Sequence, residues 1–261
     1  MSFVQLLWRV AGGRRITVFG HIYRLVPETI FPYYRNFKLP RDGYLSDIVR
    51  YADYVQFHSV ALYTSELGDR PVIIDLGAHH GAYAVVLGKI VRPKGGKVIA
   101  LEPNPESFTI LKENVRLNGL DDTVICERIA AGDTAEVMPM EMMGSQSRIA
   151  LGAISSCNVD VIPLSTLLSN YGINRVDLLM IDVEGAELPV LKGFPWETVE
   201  VERIYCELHP YAWKEFGYSG ADLREFLKTR GYRCFDMYFK EHSAFDRDAY
   251  IGPTMLWKRN D

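Results

Sequence analysis

The sequence predicts an α/β fold, a mostly parallel sheet with helices on both faces, preceded by an N-terminal extension. Three observations predict it. From residue 70 onward, short apolar runs alternate with stretches of helical periodicity. The first run, 71–76, is apolar almost throughout, as a central strand covered on both faces must be. That run ends in Asp75 and leads into a glycine-containing turn. In sheets of this kind, ligands bind at the carboxyl ends of the strands, where the strand order reverses.

The elements follow in order. Leu45, Ile48, Val49, Ala52 and Val55 recur at three-to-four spacing and predict a helix over 42–67, capped by Asp42 or Ser46 and stopped by Gly68. After strand 71–76 comes a helix over 83–91, then a strand over 97–102. Pro105 opens a helix over 105–118 that Asn118 and Gly119 close. A third strand is expected over 123–129. Residues 132–162 read as irregular, with Met138, Met140, Met142 and Met143 forming either an adaptable substrate loop or a disordered connection. A short helix over 165–171, a strand over 176–182, a helix over 186–192 and a strand over 201–208 follow. A helix over 220–230, ended by Gly231, precedes two last strands, 232–240 and 250–257, expected to pair as a hairpin.

Composition narrows the function. With 48% hydrophobic and 24% charged residues the chain reads as ordinary globular protein. A net charge of −4 argues against nucleic acid as a partner. Cys126, Cys157, Cys206 and Cys234 lie far apart without a C-x-x-C pair, so reduced thiols in a cytoplasmic protein are expected. No apolar run approaches the ~20 residues of a membrane span, and the N-terminal arginines follow the apolar residues, the wrong order for a signal peptide. Charge is uneven, however. Residues 1–41 hold seven basic residues against Glu28 alone, a local +6 that leaves −10 to the remainder, and eight aromatics. Such an arm suits peripheral contact with an anionic membrane or an anionic acceptor. The competing expectation is an extension packed on the main domain. Homo-oligomerisation stays open.

The turn after the first strand reads Asp75-Leu76-Gly77-Ala78-His79-His80-Gly81. Gly77 is expected to let the backbone approach a ligand, and Gly81 to permit tight entry into a helix whose N-terminus can receive a carboxylate. Asp75 can order the loop or sit near a cationic group. The G-x-G-x-x-G fingerprint of dinucleotide binding would need glycines where Asp75 and His80 stand, and an acid there would repel a pyrophosphate. Glu102 ends the second strand about twenty residues on, where a carboxylate can accept bonds from ribose hydroxyls. Asn104 lies two residues further, placed to hold the ribose or the adenine edge.

The segments IIDLGAHHGAYAVVLG, ALEPNPESFTILKENVRLNG, RVDLLMIDVEGAELPVLKGF and IYCELH, spanning roughly 71–209, resemble the FkbM family of methyltransferases. The resemblance implies a Rossmann-like class I methyltransferase with a seven-stranded sheet in residues 70–261, residues 1–69 forming the extension. It implies S-adenosyl-L-methionine as donor, S-adenosyl-L-homocysteine as product, and a hydroxyl acceptor on a sugar, glycan, glycolipid or natural product. Asp75, Gly77, Ala78, His79, Gly81, Tyr83, Glu102, Pro103, Asn104 and Ala130 would line the cofactor site. Two positions depart from the family pattern: Met180 stands where a lysine is usual, and Leu167-Leu168-Ser169-Asn170 where L-D-D-L is common.

Candidates for the acceptor side cluster at two strand ends. Asp182 and Glu184 follow the fourth strand, with Glu187 one turn later, and Glu207 and His209 close the fifth. Adjacent strand ends bring Asp182, Glu184 and His209 to one rim, with His209 the expected general base because histidine titrates near neutrality. A divalent metal held by the same three residues is the alternative, and helix-terminal acids and a strand-ending histidine are the bland one. Tyr211, Trp213, Phe216 and Tyr218 are either an acceptor wall or a satellite core. A nicotinamide oxidoreductase and a non-catalytic cofactor-binding scaffold are the rival functions.

Overall fold

The computed structural model describes residues 14–18, 21–25, 64, 67–141, 147–149, 157–235 and 253–258. Two short strands, β1 (Arg14–Val18) and β2 (His21–Leu25), pair antiparallel. The helix expected over 42–67 falls outside the described residues except for Thr64, which is helical, and Leu67. Most of the basic, aromatic arm lies outside them too.

The main sheet takes shape from β3 (Val72–Leu76), β4 (Lys97–Leu101) and β5 (Val124–Glu127). Between them run helices α1 (Ala82–Val91) and α2 (Pro105–Leu117). A second, smaller sheet follows, made of β6 (Ala130–Gly132), β7 (Glu136–Glu141), β8 (Arg148–Ile149) and β9 (Cys157–Pro163). The chain then runs through α3 (Leu164–Asn170), β10 (Arg175–Ile181), α4 (Glu187–Lys192) and β11 (Glu200–Glu207). Helices α5 (Pro210–Trp213) and α6 (Gly220–Lys228) precede β12 (Tyr232–Phe235) and β13 (Pro253–Lys258).

The order across the main sheet is β12-β13-β11-β10-β3-β4-β5, seven strands as expected. β10, β3, β4 and β5 are parallel, as is β11 with β10, while β13 runs antiparallel to β11 and to β12. β3 thus sits at the reversal, with later strands added on both sides. The register aligns Leu76 with Leu101 and with Ile181, and Ile181 with Cys206. The residues that follow these positions therefore emerge at one edge of the sheet.

Period-two alternation divides the core. Ile74, Ile99, Leu179 and Ile204 face one side, with leucines of α3, α4 and α6 packed on them. Ile73, Val98, Leu178 and Tyr205 face the other, covered by α1 and α2. Burying each large aliphatic side chain contributes ~1.5–3 kcal/mol, so β3, four of whose five residues are buried, anchors the sheet from both faces. α2 begins cleanly because the Asn104 side chain accepts from the Glu106 and Ser107 amides, a cap worth ~1 kcal/mol.

The expectation of irregular chain over 132–162 is corrected: β6 to β9 form a four-stranded sheet in the order β6-β9-β7-β8. Val159 and Val161 are buried on alternate positions of β9, and Met140 is buried on β7. The methionines obscured a strand period, since Met138 and Met140 belong to one ladder, each opposite a β9 residue. Met142 and Met143 lie outside the described residues. All four cysteines are thiols, Cys206 and Cys234 buried. Among the described residues no helix is long and apolar enough to cross a membrane.

Candidate active site

The cofactor-side residues gather where β3 and β4 end. Gly77 and Ala78 both donate their backbone N–H to the Leu101 carbonyl, at 3.0 and 2.9 Å, which folds the turn over the end of β4. Gly77 takes φ +78°, and a Cβ there would lie 1.7 Å from the Asp182 carbonyl oxygen. The close approach expected toward a ligand is thus made to the chain leaving β10, and only glycine allows it. Gly81, also at φ +78°, packs on Leu111, where a Cβ would come within 2.4 Å of the Leu111 side chain. Asn114, unremarked in the sequence, pins the turn from α2: its Nδ2 donates to the His80 carbonyl at 2.6 Å. No acid stands in the first turn of α1, which leaves its positive end available to a carboxylate.

Glu102 is buried and held by backbone donors. His79 N–H reaches Oε2 at 2.7 Å and Asn104 N–H reaches Oε1 at 2.8 Å. Each oxygen keeps a further lone pair for a ligand hydroxyl. Burial nonetheless raises the Glu102 carboxyl to about 7 against those two bonds. Asp75 is buried as well, and its Oδ2 has no hydrogen-bond partner among the described residues. Desolvation first, then the charge of Glu102, raises Asp75 to about 7. His79 holds φ +49°, its ring stacks on His80 with centroids 3.8 Å apart, and burial lowers it to about 4. That favours the neutral ring at physiological pH, and the His79 backbone N–H goes to Glu102.

The Asn104 side chain caps α2 with its oxygen and donates to the Ser147 hydroxyl at 3.1 Å, so it is structural in this state. Tyr83 packs its ring 6.2 Å from that of Tyr205 in the core beneath α1. Ala130 is buried at the start of β6, beyond the end of β5. Pro103 is half-buried between Glu102 and the cap.

Asp182, Glu184 and His209 do converge, at the ends of β10 and β11. One ligand atom from each lies within 4.8 Å of the other two. His209 Nε2 is 3.6 Å from Asp182 Oδ1 and from Glu184 Oε2. Its Nδ1 lies 2.7 Å from Glu187 Oε1. Glu187 is the residue the sequence reading undervalued as a helix-terminal acid. It is wholly buried, with Oε2 accepting from Trp213 Nε1 at 2.9 Å and the Tyr218 hydroxyl at 2.7 Å, and Oε1 accepting from the Gly185 N–H. An acid directly before an apolar helical run, L-P-V-L, was the available hint.

The acids around His209 set its electrostatics. Desolvation lowers the His209 pKa, but the bond to Glu187 and the charges of Asp182, Glu187 and Glu184 outweigh it and lift the imidazole to about 9. Those acids favour the protonated imidazole, so a base at this position needs its acidic surroundings to change before it accepts a proton. Burial, then Glu207, holds the Asp182 carboxyl well above the ordinary range, with His209 pulling it down. About 44% of the Asp182 side chain is still exposed, so solvent moderates that rise.

The aromatics divide. Trp213 and Tyr218 are buried and bound to Glu187, and Phe216 packs on the core beside them. Tyr211 alone is exposed, and its hydroxyl donates to Glu184. They are a satellite core with one outward face.

A family model described as the methyltransferase FkbM domain matches residues 75–234. Methyltransferase sdnD of Sordaria araneosa is 26% identical over 173 residues, covering 53% of this chain and 66% of that protein. Hexuronic acid methyltransferase AglP of Haloferax volcanii is 27% identical over 155 residues, covering 58% of this chain and 61% of that protein. This chain therefore spans just under two thirds of the length of these relatives. Among solved structures, methyltransferase FkbM from Methylobacillus flagellatus superposes with a TM-score of 0.50 at 16% identity, over 75% of this chain and 47% of that one. An O-methyltransferase from Bacillus cereus in complex with S-adenosylhomocysteine superposes with a TM-score of 0.50 at 12% identity, over 89% of this chain and 90% of that one. Both share the class I methyltransferase fold with this chain.

Proposed function

The chain belongs to the FkbM-domain methyltransferase family, and on that premise we propose that it transfers the methyl group of S-adenosyl-L-methionine to a hydroxyl oxygen. The observation that carries the reading is the pair of buried carboxylates, Asp75 and Glu102, at adjacent strand ends, with Asp75 Oδ2 lacking a partner among the described residues. Two acids desolvated together cost free energy unless something cationic and rich in hydroxyls joins them. A sulfonium nucleoside supplies an ammonium, a sulfonium and two ribose hydroxyls. Asp75 would answer the positive groups and Glu102 the ribose. A dinucleotide would bring a pyrophosphate against Asp75, which disfavours the oxidoreductase.

In the transfer, an acceptor lone pair forms the C–O bond as the C–S bond breaks. Sulfur keeps the pair and becomes neutral, and the hydroxyl proton is lost to water beside the Asp182–Glu184–His209 cluster. The enzyme's main task is alignment, because the donor is already activated. One relative is a hexuronic acid methyltransferase, which favours a sugar acceptor, on a glycan, a glycolipid or a glycosylated natural product.

Calorimetry tests the donor: S-adenosylhomocysteine binds and NAD does not. Binding of NAD alone would overturn the reading. A gain of one methylene by a member of a sugar and metabolite panel, dependent on S-adenosylmethionine, tests the acceptor; a protein that binds donor and methylates nothing would support the scaffold instead.

A further inference from the structure

The geometry points to a divalent transition-metal site at the ends of β10 and β11, ligated by Asp182, Glu184 and His209, with Glu187 orienting the histidine. The metal's task rests on the O-methyltransfer reading; its binding does not.

The donor atoms form a triangle with no side above 4.8 Å. Nitrogen and oxygen ligands hold a transition ion at ~2.0–2.2 Å, which sets neighbouring ligands on one ion roughly 3.0–3.6 Å apart. The 3.6 Å from His209 Nε2 to each carboxylate oxygen exceeds a hydrogen bond and is near the separation of two ligands on one ion. Glu187 completes the arrangement. It is wholly buried, and His209 Nδ1, the Gly185 N–H, Trp213 Nε1 and the Tyr218 hydroxyl occupy its oxygens. It therefore serves as a positioning residue rather than a ligand. With Nδ1 donating to Glu187, the ring turns Nε2 toward Asp182 and Glu184. Proteins orient metal-bound histidines through such a carboxylate.

Two further features fit. Glu184 holds φ +51°, a conformation a non-glycine residue keeps only when its surroundings require it. The Asp182 backbone carbonyl abuts Gly77 of the cofactor turn, so an ion here would lie beside the donor. Two carboxylates and one imidazole suit Mn²⁺ or a similar ion better than Mg²⁺. Coordinated to it, an acceptor hydroxyl loses its proton to water more readily, as the C–O bond forms and sulfur takes the C–S pair.

The test uses the full chain stripped of metal and titrated with MnCl₂, free Mn²⁺ being followed by electron paramagnetic resonance, without acceptor. Saturable binding of one ion per chain is expected. It weakens by at least ~10-fold in Asp182→Asn, His209→Gln and Glu187→Gln, while calorimetric affinity for S-adenosylhomocysteine is retained as the control for folding. Co²⁺ reports the nitrogen ligand through its visible absorption, which His209→Gln shifts. No retention of either ion at millimolar concentration, or binding unchanged in Asp182→Asn and His209→Gln, overturns the site. Failure of the wild-type chain to bind S-adenosylhomocysteine would count against the methyltransferase reading alone and leave the metal titration to stand by itself.

Discussion

The two halves of the site handle buried charge in opposite ways. At the ends of β3 and β4, Asp75 and Glu102 are desolvated and receive little from other side chains: Glu102 has two backbone donors, and Asp75 Oδ2 none among the described residues. At the ends of β10 and β11, Glu187 is equally buried, yet His209, Trp213, Tyr218 and Gly185 all answer it. The first half stays under strain until a ligand arrives, and the second is built to hold one imidazole still. On the proposed function the difference separates a binding half from a reacting half, and substitutions should separate them too.

The largest effect belongs to the reacting half. His209→Ala is expected to lower kcat by ~10²–10⁴-fold, the scale of lost proton management at the acceptor, with S-adenosylhomocysteine affinity retained. Activity kept within a few-fold would merge the two halves again. The binding half answers next. Glu102→Gln keeps the backbone contacts in part but loses charge-assisted bonds to the ribose, worth ~1.5–3 kcal/mol each. Calorimetry should show donor affinity down ~10–100-fold, while kcat at saturating donor changes less.

Much of this contrast was legible beforehand. Asp75, Gly77 and Glu102 were readable because backbone geometry dictates them: a strand end, a turn with left-handed φ and a second strand end recur at set spacings. Asp182, Glu184 and His209 were readable as strand-end residues, but the pull of the acids on His209 was not. That pull depends on Glu187, which is held by Trp213 and Tyr218 more than twenty residues away. No local pattern carries that. The partner of Gly77 was hidden for the same reason, since Asp182 is distant in sequence and adjacent only once β10 lies beside β3. The β6–β9 sheet was missed because a three-residue strand and a methionine-rich one carry weak period-two signals.

The contrast can be sharpened with pH. Asp75 and Glu102 sit near 7 in the ligand-free protein, above ordinary values of 3.8 and 4.5. Raised carboxyls bind more protons folded than unfolded, so their contribution to stability falls as pH rises from about 4 to about 7. A cationic donor favours the ionised forms. Its binding should release protons near pH 6, and its affinity should rise up to ~10-fold per pH unit for each carboxyl that ionises, levelling above about 7. Calorimetry in buffers of different ionisation enthalpy measures both. An affinity flat from pH 5.5 to 8 would mean that Asp75 and Glu102 do not face the donor.

The smallest expected effect lies where the reacting half meets solvent. Tyr211 is 55% exposed, and its hydroxyl donates to Glu184. Tyr211→Phe removes that one bond and leaves the ring, and Glu184 can turn to water, so no buried acceptor is orphaned. An exposed hydrogen bond of this kind contributes ~0.5–1.5 kcal/mol, or ~2–12-fold. Because Tyr211 reaches Glu184 and no residue of the cofactor turn, the change should fall on the KM for acceptor, with donor affinity untouched. A loss as large as that of His209→Ala would instead place the phenol in contact with the reacting oxygen. A change in donor affinity would mean that the two halves communicate through Glu184, against the separation drawn from their hydrogen bonding.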